Sequence, residues 1–115
     1  MKSSILKPGE KVHVIHRRLF DKDVRRHFIG EIEDCEQGVA RATGYVFVID
    51  DLSNHLFVKR PDKRTKIFSL TDGTLIVNVV PPAVDLEKVR YELNDRMLLV
   101  TDDTWKMDIK EFGWG

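Results

Sequence analysis

The feature of the sequence that most limits its fold is a series of short apolar stretches separated by turn-forming residues. Within most stretches, apolar and polar side chains alternate, which is the period of a half-buried strand. Glycine, proline, asparagine and aspartate lie between the stretches and favour the backbone angles of tight turns. The pattern predicts an all-β protein, built as a small, strongly bent barrel with additional C-terminal strands. The predicted strands are residues 11–15, 27–33, 39–50, 55–59, 66–70, 75–80, 97–101 and 105–109.

Glycines mark the places where these predicted strands bend or turn. Gly30 falls on the inner face of its strand and indicates a bend or a close approach of two backbones. Gly44, inside the longest strand, predicts a bulge. Residues 36–38 predict a hairpin turn, and the Asp72-Gly73 pair predicts a second hairpin between the two strands that flank it.

The strongest strand signal lies at residues 45–49, which are apolar on both faces. One face is expected in the core, and the other must be covered as well. Helical periodicity is weak: residues 19–27 predict one short helix or a loop, and residues 85–89 predict one helical turn capped by Asp85 or an extended segment. Because no repeat and no long linker divides the chain, we predict a single domain, residues 1–115.

Composition excludes several classes of protein. The chain has 115 residues, of which 42% are hydrophobic, and this is enough for the core of one domain. Its 19 Lys and Arg residues are balanced by 19 Asp and Glu residues, so no chain-wide basic surface for nucleic acid is expected. The one cysteine, Cys35, excludes an internal disulfide and a cysteine zinc cluster. No apolar run is long enough for a membrane span or a signal peptide, which predicts a cytoplasmic protein without membrane contact.

The residues that could carry chemistry do not form a recognisable site. His13 and His16 are three residues apart and therefore lie on opposite faces of a strand, so they cannot chelate one ion as a local pair. His27 and His55 could join them only through tertiary contact. Cys35 lies among acidic residues, which disfavour the thiolate that a nucleophile needs. We therefore predict no metal, no cofactor and no catalytic residue, and a protein that is not an enzyme.

The uneven distribution of charge along the sequence is the one feature that indicates a candidate binding site. Residues 1–66 carry a surplus of basic side chains, and residues 67–115 carry the matching deficit. The basic residues form two groups in or beside predicted loops, at residues 17–27 and 59–66, with Phe20, His27 and Phe57 near enough for stacking. If the barrel brings both groups to one rim, they can bind a single-stranded nucleic acid backbone. The predicted nucleic-acid-binding residues are Arg17, Arg18, Arg25, Arg26, His27, Lys63 and Arg64.

The pattern Phe28-x-Gly30-x-Ile32-x-x-Cys35-Glu36, followed by Val39, resembles the first motif of the Sm/LSm-like small β-barrels. The predicted hairpin at residues 71–73 lies where that family has its second motif, and the resemblance covers about residues 10–80. The family's base-binding Asn falls at Ala40, and its Arg-Gly pair is missing at residues 69–70. Residues 83–115 have no counterpart in the minimal fold. The resemblance therefore supports a barrel more than it supports RNA binding, and SH3-like barrels share the same pattern.

The sequence leaves two classes of function open. The first is a non-catalytic module for assembly or RNA binding, and the alternative is a small-ligand-binding barrel or an enzyme subunit with a site near the basic loops. A homo-oligomer is expected, assembled through strand edges or through Phe112 and Trp114 of the C-terminal tail. The tail could instead fold back over the outer face of residues 45–49 within one chain.

Overall fold

The computed structural model describes residues 5–17, 25–49, 58–71, 73–94 and 97–109. These residues form an all-β protein, which confirms the predicted fold class. The described residues contain nine strands and one 3₁₀ helix, Leu86–Lys88. The strands are β1 Lys11–His16, β2 Arg25–Glu36, β3 Val39–Ile49, β4 Val58–Lys59, β5 Arg64–Ser69, β6 Leu75–Val80, β7 Arg90–Asn94, β8 Met97–Thr101 and β9 Lys106–Asp108.

The first six strands form one antiparallel sheet around the long β2–β3 hairpin. The order β4-β3-β2-β1-β6 runs across the sheet, and β5 pairs with the first half of β3. The hairpin turn at Gln37 and Gly38 has positive φ angles of 50° and 79°, as a two-residue turn of type I′ requires. This confirms the turn predicted at residues 36–38.

The strands on either side of Gly73 do not form the predicted hairpin with each other. β5 pairs with β3, whereas β6 pairs with β1, at the opposite side of the sheet. Both strands nevertheless contribute partly buried side chains to the same core, among them Phe68 and Val77. The sheet therefore curls into an open barrel, in which the free edges of β5 and β6 have no partner strand among the described residues.

Two glycines face each other where the β2–β3 hairpin bends. Gly30 is paired with Gly44, and a Cβ added to Gly30 would lie only 2.7 Å from the carbonyl oxygen of Thr43. The close approach of backbones predicted at Gly30 is confirmed. The bulge predicted at Gly44 is wrong, because the register shifts on the other strand, between Ile32 and Asp34. Gly44 is needed to let the two backbones touch and does not disturb the pairing.

Alternation along the strands divides the buried side chains into two cores. The inner faces of the barrel strands enclose the interior core: Leu6, Val12, Val14, Phe28, Ile32, Ala40, Ala42 and Val46. The outer faces of β2 and β3 join the C-terminal segment in a second core, here called the intersheet core: Ile29, Tyr45, Phe47, Val80, Val84, Val89, Tyr91, Leu98 and Val100.

A second antiparallel sheet, β7-β8-β9, covers the outer face of the barrel. Pro81 and Pro82 end β6, because neither can donate a hydrogen bond to a ladder. The 3₁₀ helix follows, and the Asp85 carboxylate caps it by accepting a hydrogen bond from the Glu87 amide at 3.0 Å. Of the two alternatives predicted for residues 85–89, the structure has the turn capped by Asp85. The additional C-terminal strands are confirmed. The second apolar face of residues 45–47 is covered within the chain itself.

The described part of the chain contains no helix long and apolar enough to cross a membrane.

Candidate functional site

The first predicted basic group lies at one end of β1 and β2. Arg25 and Arg26 begin β2 and are exposed, and Arg17 directly follows β1. The Arg17 guanidinium donates a 3.3 Å hydrogen bond to the carbonyl oxygen of Gly73, so this side chain lies along the β5–β6 connection. Arg18 lies outside the described residues.

The second basic group is divided between the two faces of the barrel wall. The Lys63 ammonium lies 5.9 Å from the centre of the Tyr45 ring, on the outer face. Lys59 lies on the same ring at 4.2 Å and donates hydrogen bonds to the carbonyls of Leu86 and Glu87. Its ammonium thus ties the barrel to the 3₁₀ helix and is not available to a ligand. Lys66 lies with Phe68 on the inner face of β5.

Members of both groups meet at one mouth of the barrel. His16 is paired directly with Arg26. The pKa of His16 is lowered by partial burial and by the positive charges of Arg26 and Lys66. The pKa of Lys66 is lowered by partial burial and by Arg26 and Arg64. Three strands therefore bring one imidazole and three cations close enough to repel each other, and we call His16, Arg26, Arg64 and Lys66 the mouth cluster.

Strand alternation explains why these residues converge. His16 continues the inner-face series of Val12 and Val14, and Arg26 precedes Phe28 by two residues on the same face. Each is the last inner-face position before its strand ends, where the interior opens to solvent. Lys66 precedes Phe68 in the same way. On each of these strands the inner-face side chains are therefore apolar inside the barrel and polar at its mouth.

The positive charge of the mouth cluster is only partly neutralised. Arg64 forms an ion pair with Asp62 at 2.8 Å, and both side chains are about half exposed. The other ion pairs among the described residues involve Arg90, in the second sheet. The carboxylates described by the structure therefore leave His16, Arg26 and Lys66 without an ion-pair partner. A concentrated positive charge of this kind attracts anions.

His27 does not belong to this surface, which corrects its predicted role as an exposed stacking residue. It is on the outer face of β2, covered by the second sheet, and only 6% exposed. Its Nδ1 lies 2.6 Å from the Tyr91 hydroxyl oxygen, inside the intersheet core. The other proposed stacking residues, Phe20 and Phe57, lie outside the described residues.

Sequence reasoning assigned no anion-binding role to His16, and it placed Lys66 in the second basic group without naming it as a binding residue. His16 was considered only as a metal ligand, because its distance from Arg26 along the chain hides their pairing across the sheet. Continuing the apolar alternation of β1 by one step would have found it. The described residues contain no group of three or more His, Cys, Asp or Glu side chains placed to hold a metal ion. A shallow groove on the outer face is lined by Asp34, Cys35, Glu36, Val39, Arg41 and Ile67.

Comparisons with protein-family models, with curated proteins and with solved structures found no match for this chain. The fold and the mouth cluster define an open β-barrel with a basic mouth, capped on its outer face by a second sheet.

Proposed function

We propose that the protein is a non-catalytic module that binds single-stranded RNA at the mouth of the barrel. The observation that supports this function is the mouth cluster, in which Arg26 and Lys66 have no ion-pair partner among the described residues. Guanidinium and ammonium groups bind the repeated negative charges of a phosphate backbone. Arg17, which follows His16 directly, adds positive charge beside the cluster. The single cysteine fits a reducing compartment such as the cytoplasm.

The test is the binding of a fluorescein-labelled oligouridylate, followed by anisotropy across a salt series. Arg26→Glu combined with Lys66→Glu should weaken binding at least about tenfold and reduce the salt slope by about 1.4, since each phosphate contact on a single strand contributes about 0.7. The matched control is Lys88→Glu combined with Lys106→Glu, which makes the same change in net charge at exposed positions of the C-terminal segment. Equal loss in both variants, or no binding by the unmodified protein, would refute the proposal.

A second function, self-assembly, is favoured by the free edges of β5 and β6. Each edge carries an exposed apolar side chain: Ile67 on β5 is 66% exposed and Val79 on β6 is 57% exposed. Unpaired backbone N–H and C=O groups beside such side chains are a template for pairing with another chain. We propose that β5 of one copy pairs with β6 of the next, which makes a head-to-tail homo-oligomer.

Light scattering on two edge variants tests this assembly. Ile67→Lys blocks only the β5 edge and Val79→Lys blocks only the β6 edge, so each variant alone should be a monomer. A mixture should contain a dimer, because each variant keeps the edge that the other has lost. A monomeric unmodified protein, or variants that remain fully oligomeric, would refute assembly through these edges. Deletion of residues 111–115 should leave the oligomer intact.

A further inference from the structure

Three polar side chains meet inside the intersheet core, where the barrel and the second sheet are otherwise joined by apolar residues. The Tyr91 hydroxyl oxygen lies 2.6 Å from Nε2 of His13 and 2.6 Å from Nδ1 of His27. The two imidazole rings are 5.2 Å apart and nearly perpendicular. His13 is fully buried, and Tyr91 is only 7% exposed. We call His13, His27 and Tyr91 the buried triad.

The hydrogen bonds of the buried triad are those of three neutral groups. A tyrosine hydroxyl donates one hydrogen bond and accepts others, and a neutral imidazole has one N–H and one acceptor nitrogen. Tyr91 can therefore donate to one histidine and accept from the other. If the imidazole that accepts from the hydroxyl gains a proton, both imidazoles face the hydroxyl as donors, and the hydroxyl proton loses its acceptor within the triad. The other imidazole can gain a proton only at its nitrogen that faces away from the hydroxyl, which places a charge in the buried core.

The surroundings of the triad oppose an added proton. Burial lowers the pKa of His13 to about 4. Burial, followed by the charges of His13, His16 and Arg25, lowers the pKa of His27 to about 3. Among the described residues, the neighbouring elements otherwise present the Phe47 ring from β3, the Asn78 amide from β6 and the apolar side chains of β8.

A second observation is that a hydrogen bond is missing on the His13 side of the triad. His13 is paired directly with Asn78 across β1 and β6. Nδ1 of His13 and Nδ2 of Asn78 are both buried, and neither has a hydrogen-bond partner among the described residues. On the His13 side, the contact with the second sheet is the hydrogen bond to the Tyr91 hydroxyl.

The architecture allows this contact to open without unfolding the barrel. The interior core contains no residue from the second sheet, and the described strands of the two sheets share no ladder. Two lysines also join the barrel to the C-terminal segment, and their charge does not change below neutral pH. Lys11 donates to the carbonyls of Pro82 and Val84, and Lys59 donates to those of Leu86 and Glu87.

We propose that the buried triad is an acid-sensitive latch, which holds the second sheet on the barrel at neutral pH and releases it as the pH falls below about 6. Release exposes both imidazoles to water, where they bind protons with an ordinary affinity. Because the open state binds more protons than the closed state, acid favours opening. The surface uncovered is the apolar outer face of the barrel, Ile29, Tyr45 and Phe47.

Hydrogen exchange of the full-length protein tests the latch between pH 7 and pH 4.5, above the range in which most carboxylates titrate. The protection factors of β8 amides should fall by up to about 100-fold per pH unit, since two protons are taken up on opening. Protection of the β1–β2 ladder should change little. Constant protection of β8, or parallel loss in β1 and β2, would overturn the proposal.

Variants distinguish the contribution of the buried triad to the pH dependence from that of other histidines. His13→Leu, His27→Leu and Tyr91→Phe together remove the titrating groups, and this triple variant should keep β8 protected down to pH 4.5. As a control, His16→Gln should leave the pH dependence of β8 protection unchanged. If β8 protection falls as steeply with pH in the triple variant as in the unmodified protein, the latch is contradicted.

NMR titration of the unmodified protein keeps the test decisive even if the triple variant does not fold. The ring protons of His13 and His27 should stay at their neutral shifts until β8 loses protection. A ring that titrates near pH 6.5 while β8 is still protected would overturn the proposal.

Discussion

Replacing Gly44 with alanine should damage the fold more than the same replacement at any other glycine that the structure describes. A Cβ at Gly44 would collide with the Ile29 carbonyl oxygen and lie 2.5 Å from the Gly30 Cα. Both are backbone atoms of the paired strand β2, so no side-chain rotation can relieve the clash. The two central strands must separate where the hairpin bends.

The structure allows the cost to be worked out. Separation weakens at least two ladder hydrogen bonds, each of which contributes about 1 kcal/mol net. The forced shift of a packed backbone adds about 1–3 kcal/mol. The free energy of unfolding should therefore fall by about 4 kcal/mol, which is a large fraction of the 5–15 kcal/mol typical of a whole domain.

Urea denaturation followed by circular dichroism measures this loss, with Gly73→Ala as the matched control. Gly73 has a φ angle of 79°, but no atom lies within 4 Å of an added Cβ. Only the left-handed backbone opposes that substitution, at a cost of about 1–2 kcal/mol. If Gly44→Ala is no more destabilising than Gly73→Ala, the close approach of β2 and β3 at this point is refuted.

Three further predictions concern the C-terminal segment and its contacts with the barrel. The pKa of His13 is lowered from 6.5 to about 4 in the folded protein, so the unfolded chain binds the proton more readily. Between pH 6.5 and pH 4, urea unfolding should therefore show a loss of about 3 kcal/mol in the free energy of unfolding from His13 alone. A flat pH profile would contradict this. Lys59→Met removes the hydrogen bonds to the carbonyls of Leu86 and Glu87, at 3.1 and 2.7 Å, and should lower thermal stability by about 1–2 kcal/mol, whereas Lys106→Met should not. Asp102→Ala removes a buried carboxylate that accepts hydrogen bonds from the Asp85 and Thr104 amides and should cost about 2 kcal/mol in chemical denaturation; a loss below 0.5 kcal/mol, within the usual range for surface substitutions, would refute that structural role.

Local patterns in the sequence were sufficient to predict most of the strands and the turn between β2 and β3, but β7 was not among the predicted strands. The alternation around Phe28 and Ile32 identifies the inner face without tertiary information, since neighbouring side chains of a strand point to opposite sides. Gly30 could be recognised as a close approach for the same reason. It lies at a position of that inner face where a side chain is expected and none is present.

Partner strands could not be predicted in the same way. The Asp-Gly signal beside Gly73 describes the turn itself, but strands that follow each other in sequence need not pair. β5 and β6 bury their inner faces on opposite sides of the curled sheet, and this depends on the curvature of the whole barrel. His27 was misassigned for a related reason, because alternation places it on the outer face without indicating that a second sheet covers that face.

The covered face also changes how the expected oligomer should respond to pH. The second apolar face of residues 45–49 was expected to be covered, and the second sheet buries Tyr45 and Phe47 within the chain itself. If the latch opens in acid, that face becomes exposed while the edges of β5 and β6 are unchanged. The edge variant Ile67→Lys should therefore be monomeric at pH 7 and associate at pH 5, because the uncovered aromatic surface is then free to bind another copy. Light scattering at the two pH values decides this, with the triple variant of the buried triad combined with Ile67→Lys as control. If the control associates at pH 5, or if the Ile67→Lys variant is a monomer at both pH values, this face takes no part in acid-induced assembly.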